Sequence, residues 1–71
     1  MSNLKHYILD MEEKIGDIPG IMDKTSEAEC VQEVINYALD YLDPFHDMDR
    51  FDTEIVEWVV KKNFNEYWSA A

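Results

Sequence analysis

The sequence has few of the residues that usually stabilise a very small protein or equip it with a cofactor. It contains one cysteine, two glycines and two prolines in 71 residues, and six basic residues against sixteen acidic ones. A single cysteine, Cys30, cannot form a disulfide within the chain, and it is typical of a reducing compartment. Two glycines leave little backbone for a phosphate-binding loop or a dinucleotide-binding fingerprint.

Long apolar stretches are also missing. The longest apolar runs are only a few residues, too short to cross a membrane. The segment Met1–Asp10 has Lys5 but no apolar stretch typical of a secretion signal. These features favour a cytoplasmic protein that does not insert into membranes.

The composition nevertheless predicts a folded domain. Hydrophobic residues make up 46% of the chain and aromatic residues 13%. A disordered acidic tail has far fewer, because it cannot bury enough apolar surface to offset its chain entropy. A chain of this length forms one domain, near the lower limit for independent folding. We therefore expect residues 1–71 to form a single domain, which a partner or a second copy could stabilise further.

The negative charge is concentrated in the middle of the chain. Residues 25–60 contain ten acidic residues and one basic residue, Arg50, and the net charge of the whole chain is −10. Such a surface repels nucleic-acid phosphates and anionic membranes and attracts basic surfaces. We expect no direct binding to nucleic acid or membranes. The expected partner is a protein with a basic surface, such as a nucleic-acid-binding protein.

The spacing of apolar residues predicts an all-α fold of three antiparallel helices, over about residues 3–15, 27–42 and 53–68. Ser26 and Glu29 form a capping-box pattern at the start of the second helix. The apolar face of that helix extends to Tyr41 and is wide, which predicts a central helix in contact with both others.

The two connections carry turn signals. Ile18-Pro19-Gly20-Ile21 predicts a turn with positive φ at Gly20, and its isoleucines are expected to fold back over the core. Asp43-Pro44 ends the second helix and is suited to starting a short extra helical turn near residues 44–50.

One group of residues resembles a metal site in composition: His46, Asp47, Asp49 and Asp52. A calcium loop that started at Asp47 would need glycine at position 6 and glutamate at position 12, where the chain has Asp52 and Trp58. We therefore expect a solvated acidic turn with helix-capping aspartates, and neither a metal nor a cofactor.

Catalysis is poorly supported by the sequence. Cys30 lies at the edge of the apolar face of the second helix, where a thiol is usually buried and unreactive. The two histidines, His6 near the N-terminus and His46 in the turn between two predicted helices, do not suggest a Ser-His-Asp set. We expect no catalytic residues and no enzymatic activity.

The predicted site is a surface that we name the acidic ridge. Its nine carboxylates are Glu29, Glu33, Asp40, Asp43, Asp47, Asp49, Asp52, Glu54 and Glu57. Trp58 lies off the inner stripe of the third helix and is predicted to contact a partner, unless it faces the first helix instead. This pattern predicts a protein-binding module, an inhibitor or adaptor, with a phage-encoded inhibitor as one form. The ridge would speed association and the aromatic would hold the complex.

Two alternatives remain open at this point. In nucleic-acid mimicry, ridge carboxylates stand where phosphates would in a DNA or RNA backbone. In a structural or self-assembling protein, Leu9, Ile55 and Trp58 are buried between copies. Repulsion between identical acidic faces would then direct the contact to the first helix and the C-terminal part of the third.

Overall fold

The computed structural model describes residues 2–70, with side chains over residues 4–70. Within that range the chain forms four helices and no strands: α1 (Ser2–Gly16), α2 (Ile21–Glu27), α3 (Val31–Leu42) and α4 (Arg50–Ala70). The predicted all-α class is confirmed. The predicted arrangement of three antiparallel helices is not confirmed, because a fourth helix lies between the first two predicted ones.

Helices α3 and α4 together form the centre of the fold. Helix α4 packs against both α1 and α3, while α2 packs against α3. The ring centroids of Tyr7 and Phe51 are 5.7 Å apart, and Lys62 Nζ donates a 2.6 Å hydrogen bond to Glu12. The second contact lies closer to the C-terminus than the first on both helices, so α1 and α4 run in the same direction. The second predicted helix, α3, is thus central together with α4, while its apolar face is exposed at Tyr41, near its C-terminal end.

The core lies where these helices meet. Its buried apolar residues are Met11, Ile15, Ile18, Ile21, Ala28, Val34, Ile35, Ala38, Val56, Val59 and Val60. Among the residues described, Thr25 is the one buried polar side chain, and its hydroxyl donates a 2.8 Å hydrogen bond to the Ile21 carbonyl. This bond satisfies the hydroxyl within its own helix, so that its burial carries no large desolvation penalty.

The first connection contains the predicted turn and an unpredicted helix. Gly20 has φ 77°, and the Ile21 amide donates to the Ile18 carbonyl at 3.2 Å, which confirms the turn. Ile18 and Ile21 are both buried, as expected. The chain then continues directly into α2. Ile21, Thr25 and Ala28 share one buried side of this short segment, at spacings of four and three residues.

The predicted start of the helix that follows is wrong. Ser26 lies inside α2, where its hydroxyl donates a 2.9 Å hydrogen bond to the Asp23 carbonyl. Ala28 is extended and buried, so the chain leaves the helical path there to insert this residue into the core. Helix α3 therefore begins at Val31, with Cys30 as its N-cap residue. Cys30 is exposed, contrary to the expected burial.

The second connection, residues 43–49, is a turn followed by an extended segment, and the extra helical turn predicted near residues 44–50 is not formed. Its shape is set by Asp43, whose Oδ1 accepts hydrogen bonds from the amides of Asp47 at 2.8 Å and Met48 at 3.1 Å. Helix α4 begins at Arg50, three residues before the predicted start. The reason is that Asp49 Oδ1 accepts a 2.8 Å hydrogen bond from the Asp52 amide and so caps the helix.

Candidate protein-binding surface

The acidic ridge lies on three consecutive segments of the fold. Its members are Glu29 just before α3, Glu33 and Asp40 on α3, Asp43, Asp47 and Asp49 in the connection, and Asp52, Glu54 and Glu57 on α4. Five of the nine are exposed and the other four are half-buried. The surface is therefore accessible to a partner along its whole length.

The charge of the ridge is almost uncompensated by the protein itself. Among residues 2–70, Glu54 is the one ridge carboxylate with a basic group within 4.0 Å, and its partner is Arg50 at 3.7 Å. Both side chains are largely exposed. An exposed pair of this kind, four residues apart on a helix, contributes only about 0.3–0.5 kcal/mol. Most of the negative charge is consequently available to an external cation.

Two ridge carboxylates also hold the backbone. Asp43 Oδ1 bonds two amides of the connection, and Asp49 Oδ1 bonds the first turn of α4. This agrees with the expectation of capping aspartates in the turn. Asp47 lies between them and is exposed, and its amide is the donor to Asp43. Among the three carboxylates of the connection, Asp47 is thus the one whose carboxylate makes no hydrogen bond to the backbone.

The ridge does not follow a single line on α4. Residues two apart on a helix project about 200° from each other, so Asp52 and Glu54 point to opposite sides. Glu54 and Glu57 are three apart and share one side. The fold brings these two together and leaves Asp52 half-buried on the other side.

On α3, two ridge carboxylates share a depression. Glu33 and Asp40 line it together with Lys24, Asn36 and Tyr37. The Lys24 Nζ atom lies 5.9 Å from the centroid of the Tyr37 ring. The protein's own ammonium group therefore already lies over an aromatic ring on this face, in a cation–π geometry.

A second depression adjoins the first. It is lined by Tyr37, Asp40 and Tyr41, and we name it the tyrosine cleft. Asp40 and Tyr37 belong to both depressions. Within the tyrosine cleft, a carboxylate and two aromatic rings surround one concave piece of surface.

Trp58 lies outside the core and is 52% exposed. Lys62 Nζ is 5.8 Å from the centroid of its ring and also bonds Glu12. The hydrogen bond to Glu12, helped by the negative charges of Glu12 and Glu66, raises the pKa of Lys62 against the opposing effect of desolvation. The ammonium beside Trp58 thereby holds its proton more tightly than a free lysine does.

Sequence reasoning missed two exposed aromatic residues beside the ridge. Tyr41 is 56% exposed and Phe45 is 84% exposed. The apolar periodicity predicts Tyr41 on the inner face, but this residue lies in the last turn of α3 and projects away from the core. A signal for Phe45 was present, because it follows Pro44 in a connection rich in aspartate, where little apolar surface is close enough to cover it.

Three further features of the described residues concern metal ions, membranes and small ligands. Over residues 2–70, no three His, Cys, Asp or Glu side chains converge as metal ligands would. None of the helices in this range is sufficiently long and apolar to span a bilayer. A mainly apolar cavity of about 80 Å³ lies between Ile15, Ile21, Val34 and Val60. It is well below the roughly 300–1,000 Å³ of typical ligand pockets.

These features define a small acidic all-α domain with exposed aromatic side chains among uncompensated carboxylates. In comparisons with known proteins, no family model, curated protein or solved structure matches the chain.

Proposed function

We propose that the protein is a small acidic binding module, an inhibitor or adaptor that docks on a basic surface of a partner protein. The observation that carries the proposal is the lack of close internal ion pairs: of the nine ridge carboxylates, one has a basic group within 4.0 Å among the described residues. Negative charge in this arrangement attracts a basic protein over a distance and raises its association rate. The proposal includes no catalytic step and no cofactor, and it places the protein in the cytoplasm.

Exposed aromatic side chains support the same proposal. Trp58, Tyr41 and Phe45 are each more than half exposed. Large aromatic residues that become desolvated in an interface often dominate its affinity. The ridge would guide the encounter, and these side chains would slow dissociation.

Nucleic-acid mimicry is the narrower form of this proposal. It requires carboxylates on a track that resembles a phosphate backbone, whereas Asp52 and Glu54 project from opposite sides of α4. General charge complementarity fits this distribution better. Competition between the protein and DNA or RNA for one basic partner would support mimicry, and simultaneous binding of both would contradict it.

The proposal is tested by neutralising part of the ridge. The partner is first captured from the native host, and association rates are then measured at several salt concentrations. We expect Glu29→Gln, Glu33→Gln and Asp40→Asn together to slow association about tenfold at low salt and to flatten its salt dependence. The matched control is Asp10→Asn, Glu13→Gln and Asp17→Asn, which removes three exposed charges from and next to α1.

The control separates local recognition from net charge. If both triple variants slow association equally, the ridge has no special role. If neither changes the rate or its salt dependence, steering by the ridge is wrong. Circular dichroism of both variants verifies that the helical fold is retained.

Self-association is a second candidate, favoured by a different group of side chains. Leu4, Tyr7, Leu9 and Phe51 are all exposed on α1 and at the start of α4. Burial of such residues between copies would add to a small core. Sedimentation velocity at micromolar concentration tests this candidate, and a stable monomer would contradict an obligate oligomer.

A further inference from the structure

We propose that the tyrosine cleft receives one arginine side chain of the basic partner. This inference rests on the proposed function and specifies one contact within it. The cleft is lined by Tyr37, Asp40 and Tyr41, which combine a carboxylate with two aromatic rings in a concave surface. A cation that enters the cleft meets the negative Asp40 and the electron-rich ring faces together.

The protein's own Lys24 shows that this surface accepts a cation. Its ammonium lies 5.9 Å from the Tyr37 ring centroid, in the adjoining depression that Glu33 and Asp40 also line. Asp40 lines both depressions, and among the described residues no basic group lies within 4.0 Å of its carboxylate.

The cleft is held in shape by contacts of its own. Tyr37 and Tyr41 are four residues apart on α3, and Asp40 is three residues after Tyr37, so all three project from one side of the helix. The Tyr37 hydroxyl donates to the Pro19 carbonyl at 2.5 Å, which fixes the orientation of that ring. Tyr41 remains 56% exposed and is available to a partner. A prearranged ring reduces the entropy lost on binding.

The chemistry favours arginine over lysine. A guanidinium group is planar, stacks on aromatic faces and bonds a carboxylate through two parallel N–H groups. It is also more weakly hydrated than an ammonium group, so that less solvation is lost in a shallow cleft. Lysine offers the same charge without the planar face.

The first test uses short peptides in place of the partner. Three capped tripeptides, with arginine, lysine or citrulline between two glycines, are titrated at 0.15 M salt, where exposed charges act over only about 8 Å. Chemical shifts of the Tyr37 and Tyr41 ring protons report binding. We expect saturable shifts with arginine, about threefold weaker binding with lysine, and no saturation with the uncharged citrulline. Equal binding of arginine and lysine would overturn the proposal.

The second test uses variants of the cleft. Asp40→Asn and Tyr41→Leu are each expected to weaken the arginine peptide about threefold. The control Asp10→Asn removes the same charge from an exposed position on α1 and is expected to leave binding unchanged. If Asp10→Asn weakens binding as much as Asp40→Asn does, the peptide binds through net charge alone. That result would overturn the proposed arginine site in the tyrosine cleft.

The two tests separate this inference from the proposed function. If the arginine peptide binds as expected but no basic partner is captured, the proposed function fails and the cleft stands as an arginine site. If the ridge triple variant slows a partner while Asp40→Asn and Tyr41→Leu each match the Asp10→Asn control, the cleft fails and the proposed function stands.

Discussion

The hydroxyl of Tyr37 donates a 2.5 Å hydrogen bond to the carbonyl oxygen of Pro19 and thereby fastens α3 to the turn before α2. The next residue in the turn, Gly20, has φ 77°, and a Cβ atom at that position would lie 2.8 Å from the same hydroxyl oxygen. The Tyr37 side chain therefore limits which residues position 20 can accommodate. The Pro19 carbonyl, for its part, positions the Tyr37 ring.

This relationship predicts coupling between two substitutions. Gly20→Ala should lower the free energy of unfolding by about 1–3 kcal/mol, because alanine is strained at positive φ and its Cβ displaces the hydroxyl. Tyr37→Phe should lower it by about 1 kcal/mol through loss of the hydrogen bond. Urea unfolding of the double variant should show a combined cost smaller than the two separate costs together. Strict additivity within about 0.5 kcal/mol would contradict the contact.

A second prediction separates structural carboxylates from accessible ones in the connection. Asp43→Ala and Asp49→Ala should each destabilise the fold by about 1 kcal/mol, because each removes an acceptor for backbone amides. Asp47→Ala is the matched control and should stay within about 0.5 kcal/mol of the wild type. Thermal and urea unfolding measure the three variants, and equal losses at all three positions would show that only charge matters there. Asn at positions 43 and 49 should retain most of the stability.

A third prediction concerns Trp58. Because the side chain is 52% exposed, Trp58→Ala should cost less than about 1 kcal/mol of stability. If Trp58 contacts the partner, the same variant should dissociate faster, with an unchanged dependence of association on salt. Trp68→Ala is the control, since Trp68 is 45% exposed but lies against Phe64 and Tyr67 near the end of α4. Surface plasmon resonance with the captured partner compares the dissociation rates of Trp58→Ala and Trp68→Ala. Equal rates would show that Trp58 is not part of the interface.

The raised pKa of Lys62 gives a fourth prediction. Glu12→Gln should lower the Lys62 pKa toward its ordinary value of 10.5, since it removes the carboxylate that bonds the ammonium. Glu66→Gln should lower it less, because Glu66 acts only through its charge. The ¹⁵Nζ shift of Lys62, followed over pH, measures both changes. A larger shift in the Glu66 variant would contradict the assignment.

The same pKa has a consequence for stability. Lys62 binds its proton more tightly in the folded state than in the unfolded state, so its charged form stabilises the fold below the unfolded pKa. This contribution is lost as pH rises through the folded pKa, above 10.5. The difference in free energy of unfolding between the wild type and Glu12→Gln should therefore stay constant between neutral pH and the pKa of Lys62. It should shrink only above pH 10.5.

Sequence periodicity predicted the long helices well and the short one poorly. Ile15 and Val59 lie on regular apolar stripes, and both are buried. Helix α2 has only seven residues, and its buried side includes the polar Thr25, so it presents too little periodic pattern to be identified. The Ser26–Glu29 pattern satisfied a local rule for a helix start, but burial of Ala28 imposed an extended residue there.

The candidate surface was predictable in kind but not in detail. Composition alone located the charge, because ten acidic residues fall within residues 25–60. Which carboxylates bond the backbone depends on the path of the connection, as Asp43 illustrates. Which aromatic rings are exposed depends on how the helices pack together, and Tyr41 lies outside the core. Neither the backbone bonding of a carboxylate nor the exposure of an aromatic ring can be predicted from a local pattern of residues.

The central position of α4 implies an order of folding events. Helices α3 and α4 meet across the short connection of residues 43–49, whereas the Glu12–Lys62 contact joins residues 50 positions apart. The loop closed by the Glu12–Lys62 contact is longer than the α3–α4 connection by about three doublings of length. Its closure therefore costs roughly 2 kcal/mol more in chain entropy. The α3–α4 hairpin is therefore expected to form first, with α1 docking on it late. Since late contacts are mostly absent from the transition state, loss of α1 packing should accelerate unfolding far more than it slows folding.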